Sequence, residues 1–153
     1  MTALGLHTTF VRPTFFMENF TRFLTPATED GVVVLRAPLA PGVPLQMVAV
    51  DDIGKFSAKA FAEADKFKGA EIEYAGDAAT MPEAAAALSE LAGKTVSYQP
   101  IPIDAVRANS VDFALMLEWF DAVGYSADIP SLESRWGIRP LTLKQWVRTQ
   151  SAK

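Results

Sequence analysis

Runs rich in β-branched and aromatic residues alternate along this chain with runs of helical periodicity. A chain patterned that way layers helices against a sheet. Residues 8–12 (TTFVR), 31–37 (GVVVLRA), 45–50 (LQMVAV), 71–75 (EIEYA) and 95–101 (TVSYQPI) read as strands. The APLAPGVP stretch between the second and third suits a hairpin or a wide loop. After Pro13, Phe16, Phe20, Phe23 and Leu24 recur at helical spacing, which predicts a short amphipathic helix stopped by Pro26. Asp51 or Asp52 caps the next helix, with Ile53, Phe56, Ala60 and Ala64 as its buried stripe. Thr80–Glu83 and Thr142–Gln145 have the form of capping boxes. The first opens an alanine-rich helix ending at Gly93, the second a terminal helix carrying Trp146 and Val147. The longest helix is expected from Ile103 to Val123, with Val106, Phe113, Leu117 and Phe120 on one face. SLESRW (131–136) reads as a short turn with helical character.

With 153 residues, 50% of them hydrophobic, the chain is read as one domain over 1–153 with a real core. A net charge of −4 argues against a general nucleic-acid binder. The basic residues after Glu133 (Arg135, Arg139, Lys144, Arg148, Lys153) read as a solvated helix face. The absence of cysteine excludes disulfides, thiolate catalysis and Cys-ligated metals, and fits a cytoplasmic location. No apolar run approaches the ~20 residues of a membrane span, and no signal peptide is expected.

Two spacings restrict the chemistry. The closest pair of glycines, Gly69 and Gly76, is seven positions apart, which rules out G-x-G-x-x-G and the P-loop. Tyr74, Tyr98 and Tyr125 are followed four residues on by Ala78, Pro102 and Ile129, so no Tyr-x-x-x-Lys pair exists. His7, the lone histidine, reads as structural or solvent-facing, and no metal site is expected. Asp51 and Asp52 read as helix-start acids rather than an acid/base pair. Trp119 lies off the Val106–Phe120 stripe; it either packs on SLESRW or faces a cleft.

In GLHTTFVRPTFFMENF the chain resembles NmrA-like proteins, atypical members of the short-chain dehydrogenase/reductase superfamily. The likeness continues in order through LQMVAVDDIGKFSAKAF, FKGAEIEYAGDAATMPEAAAALSELAGKTVSYQPIP, MLEWFDAVGYSADIPSLE and LTLKQWVR. It implies an α/β fold, the C-terminal portion of a Rossmann-type NAD(P)-binding fold with a small α+β substrate-domain lobe. The family's glycine-rich first half has no counterpart here.

The resemblance further implies NAD or NADP as cofactor, with Pro13, Thr14, Phe15 and Phe16 beside the nicotinamide. Phe16, Met17 and Asn19 match the substrate side of the cleft, and Trp119, Phe120 and Tyr125 the substrate-domain wall. No catalytic residue is assigned. The function implied is redox sensing or oxidoreductase-like activity when an N-terminal half completes the site. The alternatives are a cofactor-free binding or scaffold module and a truncated product without independent activity. The partners expected are a separately encoded N-terminal half and a second copy meeting through open strand edges at 8–12, 45–50 and 71–75. If FVRPTFFMENF shapes a cleft, Phe16 and Asn19 are partly exposed while Phe10 and Phe20 are buried.

Overall fold

The computed structural model describes residues 8–151, so His7 lies outside the described residues. The first strand run is split: β1 (Phe10–Pro13) pairs parallel with β6 (Glu71–Tyr74), and β2 (Phe15–Phe16) pairs parallel with β5 (Leu45–Val48). β5 also pairs antiparallel with β7 (Asp77–Ala79), a strand the sequence reading lacked. The third sheet is β3 (Ala27–Glu29), β4 (Val32–Ala37) and β8 (Val96–Pro100), with β4 central.

Of the hairpin and the wide loop that 38–44 allows, the structure has the loop, because β4 and β5 belong to different sheets. The partner of β4 is β3, reached through Asp30 and Gly31, both at positive φ (47° and 82°). Two positive-φ residues match the right-handed twist of flanking strands, and Asp-Gly is among the best sequences for such a turn.

Seven α-helices are described. α1 (Val50–Ala62) and α2 (Ala64–Phe67) meet at Glu63, and Ala64, expected on the buried stripe, is exposed. α3 (Met81–Ala92) has the expected capping box: Glu83 N–H donates to Thr80 Oγ1 (3.4 Å) and Thr80 N–H to Glu83 Oε2 (2.8 Å). Gly93 ends it at φ 64°. The single helix expected from Ile103 to Val123 is two, α4 (Ile103–Arg107) and α5 (Val111–Ala122). Ser110 makes the break by accepting the Phe113 N–H (3.2 Å), the ordinary work of a serine N-cap. SLESRW is helical, inside α6 (Ile129–Trp136). α7 (Leu143–Ser151) opens with the second capping box, Thr142 N–H to Gln145 Oε1 (2.9 Å) and Gln145 N–H to Thr142 Oγ1 (3.3 Å).

Two apolar clusters form the core. The larger joins Phe15, Met17 and Phe20 to Leu35, Met47, Leu88, Leu117, Phe120 and Trp146. The smaller packs Phe56 and Phe67 of α1–α2 with Ile72, Tyr74 and Trp136; Phe56 stacks on Tyr74 and Phe67 on Trp136. The Tyr74 hydroxyl donates to the Asp52 carbonyl at 3.3 Å.

Gly76 is where two layers touch. A Cβ there collides with the Leu141 carbonyl oxygen and comes within 3.2 Å of Pro140 Cβ. Gly76→Ala should destabilise by about 1–3 kcal/mol. Gly42→Ala, with open space around it, should stay within about 0.5 kcal/mol in the same denaturant melts. Burial, with the Asp52 charge adding to it, raises the Tyr74 pKa above its ordinary 10.0. A raised folded value means that this contribution to stability is complete below the unfolded pKa and is lost as pH rises through the folded one. Tyr74→Phe should flatten the alkaline limb of a stability-against-pH curve above about pH 10.

Candidate functional site

The run Phe10–Phe16 changes sheet partner at Thr14. The Thr14 N–H donates to the Tyr74 carbonyl (3.1 Å), and its hydroxyl donates to the same oxygen (3.3 Å). Thr14 is thereby buried without an unpaired polar atom. Before it the chain pairs with β6, after it with β5, so the C-terminal ends of parallel strands collect Pro13, Phe16 and Val48. In open α/β sheets that end is where ligands sit.

A 3₁₀ turn, Met17–Thr21, follows instead of the expected α-helix. Phe16 belongs to β2 and Phe23 is exposed, so only Phe20 and Leu24 of the expected stripe are buried. Three N–H groups (Arg22, Phe23 and Leu24) converge on the Asn19 carbonyl oxygen at 2.8–3.2 Å, which closes the turn tightly.

Glu18 performs the capping expected of Asp51 or Asp52. Both its carboxylate oxygens accept the Val50 N–H (3.1 Å), and Oε1 accepts Trp146 Nε1–H (3.1 Å). The N-cap of α1 is Ala49, which has no side-chain oxygen. A negative group therefore sits on the positive end of the helix dipole. Asp52 lies inside the first turn, buried, and accepts the Leu141 N–H (2.7 Å) and Lys55 Nζ (3.1 Å). Nothing in a single sequence announces a cap supplied from 32 residues away.

The structure brings some expected site residues together and separates others. Phe15, Phe120, Tyr125 and Trp119 form a chain of ring contacts: Phe15–Phe120 at 6.1 Å, Phe120–Tyr125 at 5.3 Å and Trp119–Tyr125 at 5.2 Å. Phe15 and Phe120 are buried, while Trp119 is 41% exposed and packs on Phe120 and Tyr125. Burial raises the Tyr125 pKa above its ordinary 10.0. Phe16 is 40% exposed and, one residue along the strand from Phe15, points to the opposite face. Asn19 is half-buried, and Met17 is enclosed in the core. Phe10, expected to be buried, is 44% exposed, because the edge of β1 away from β6 carries no described strand.

That edge borders a cavity of about 540 Å³, lined by Thr8–Val11 with Ser57, Ala60, Phe61 and Ala64. It lies toward the start of β1, away from Pro13–Asn19. Among the described residues no helix is long and apolar enough to cross a membrane.

Parallel strands, helices between them and a loop-rich C-terminal edge define an α/β architecture of the Rossmann type. The NmrA-like family model matches residues 1–151, and the chain belongs to that family. An NmrA-like family domain-containing protein of Dictyostelium discoideum is 25% identical over 119 residues, 75% of this chain and 39% of that protein. A nucleoside-diphosphate-sugar epimerase of Staphylococcus aureus superposes with a TM-score of 0.72 at 19% identity, covering 96% of this chain and 54% of its own. The NADPH-dependent quinone oxidoreductase of Escherichia coli, complexed with NADPH, gives 0.70 at 25% identity, covering 93% and 53%. NmrA, a negative transcriptional regulator, in complex with NAD gives 0.60 at 22%, covering 95% and 48%. The chain thus spans about half the length of these solved structures.

Truncation separates support from site. Phe20→Ala should cost about 3–5 kcal/mol, as a core phenylalanine does. Glu18→Ala should cost about 1.5–3 kcal/mol through its lost charged hydrogen bonds. Glu18→Gln should recover part of that, and Asn19→Ala should cost well under Phe20→Ala in the same melts.

Proposed function

We propose that this chain contributes the nicotinamide-side wall of an NAD(P) site in an NmrA-like reductase or redox-responsive regulator. The observation that carries this is the switch at Thr14, which sets Pro13–Phe16 at the C-terminal ends of parallel strands. The similar structures complexed with NADPH and NAD support the same reading.

The residues present fit one part of the cofactor and not the other. Pro13 and the exposed ring of Phe16 offer an apolar surface for a planar heteroaromatic ring. The diphosphate has no seat in this chain: no two glycines are close enough for the phosphate turn, and Glu18 fills the N-terminus of α1. The diphosphate is therefore held by a glycine-rich half outside these 153 residues, on the same polypeptide or a separate one. A bound nicotinamide would supply hydride chemistry. This chain's part is to shape and dry one side of the ring, with Asn19, Trp119 and Tyr125 on the substrate side. The soluble, cytoplasmic setting of such a protein belongs to the same proposal.

Calorimetric titration of the chain with NADPH should show at most weak binding. Tight binding appears when a glycine-rich half from a full-length relative is supplied, and Phe16→Ala should then weaken it about tenfold. A dissociation constant in the low micromolar range for the chain alone, about −8 kcal/mol, would refute the division of labour. Unchanged affinity in Phe16→Ala would remove Phe16 from the wall.

A further inference from the structure

Helix α5 is apolar on both sides. Ala114, Leu117 and Phe120 face the core, while Val111, Leu115, Met116, Trp119 and Val123 stand outward. Leu115 is 54% exposed and Val123 71%. Val111, Leu115, Trp119 and Val123 recur every fourth residue, so they form one stripe of about 18 Å along the helix and its C-terminal residue. A helix hydrophobic all round is ordinarily covered on all sides.

The charged residues of α5 are of one sign: Asp112, Glu118 and Asp121, with no basic residue. Asp121 accepts the Ala40 N–H (3.0 Å), and Arg107 of α4 is ion-paired with Glu118 and lies 3.6 Å from Asp104. The carbonyl end of α5 adds partial negative charge beside Trp119 and Val123. A second copy of the chain would set acid against acid across this face, whereas lysine or arginine beside an apolar stripe would complement it.

We propose that the outer face of α5 is a docking surface for a basic amphipathic helix of a partner protein. The apolar side chains of that helix would seat between Leu115, Trp119 and Val123, with its cations toward Asp112 and the end of α5. This goes beyond the cofactor reading, with which it shares the ring of Trp119, and its test uses no nicotinamide cofactor.

The probe is a synthetic helical peptide of about 15 residues, built of leucine and lysine with the leucines at i, i+3, i+4 and i+7. Its twin carries glutamate in place of lysine. Trp136 and Trp146 are buried, so the change in tryptophan emission comes chiefly from Trp119. The full chain should respond to the lysine peptide with a saturable blue shift that weakens as salt is added, and should not respond to the glutamate peptide. Leu115→Ser with Val123→Ser leaves net charge unchanged and should weaken binding about tenfold. Asp112→Asn should weaken it less and reduce the salt dependence. The proposal is overturned by equal response to both peptides, by no response to the lysine peptide, or by undiminished affinity in the serine variant. A dimer in sedimentation that the serine variant converts to monomer also overturns it, since a second copy would then cover the face.

Discussion

The change of partner at Thr14 is the constraint on which the rest of the fold depends. One residue takes both of its donors to a single carbonyl, Tyr74 O, and ends the pairing with β6. The next residue, Phe15, turns into the large core against Phe20 and Phe120. Gly76 makes the matching change after the neighbouring strand: its N–H donates to Met47 O at 2.7 Å as the backbone leaves β6 for β7. The two apolar clusters lie either side of this double crossing, so its geometry fixes which side chains enter which core.

Three carboxylates then tie the C-terminal segment to that crossing. Asp52 accepts from Leu141 N–H, Asp77 from Leu143 N–H (2.8 Å), and Glu18 from the Trp146 indole. Each is a side-chain carboxylate accepting an N–H at 2.7–3.1 Å from a residue far along the sequence, the class of hydrogen bond that ranks among the stronger ones available to a chain. They also explain Gly76, because the Pro140–Leu141 backbone that Asp52 holds is what leaves no room for a Cβ. The Met17–Thr21 turn and the terminal helix are therefore parts of one hydrogen-bonded unit, and strain at Glu18 would be felt at both.

Local signals were legible where the sequence carries its own chemistry. The Thr80 and Thr142 capping boxes, the buried alternation of Ile72 and Tyr74, and the family likeness were all readable from spacing or motif. Four features were not, for two different reasons. The Asp30–Gly31 turn and the Ser110 cap are local signals outweighed by a longer periodic pattern around them. Glu18 is different in kind: its partner is 32 residues away, and no periodicity encodes a bond made only after the sheet has formed. The exposure of Phe10 belongs to the same class, since a strand residue's burial depends on which neighbours complete the sheet.

The use of α1's N-terminus by Glu18 has a consequence for how a cofactor can be shared between parts of this fold. A helix N-terminus at the end of a parallel strand is the usual seat for a diphosphate, and its attraction is the partial positive charge and the free N–H groups. Here the first N–H is already bonded to a carboxylate that also holds the Trp146 indole. An incoming phosphate would have to displace an anion that is fixed at two points and would meet its charge at close range. The nicotinamide end of the proposed ligand carries no phosphate and would face no such repulsion at Pro13 and Phe16. In the function proposed above, Glu18 would therefore disfavour a diphosphate at α1, while the ring would meet Pro13 and Phe16 at the strand ends.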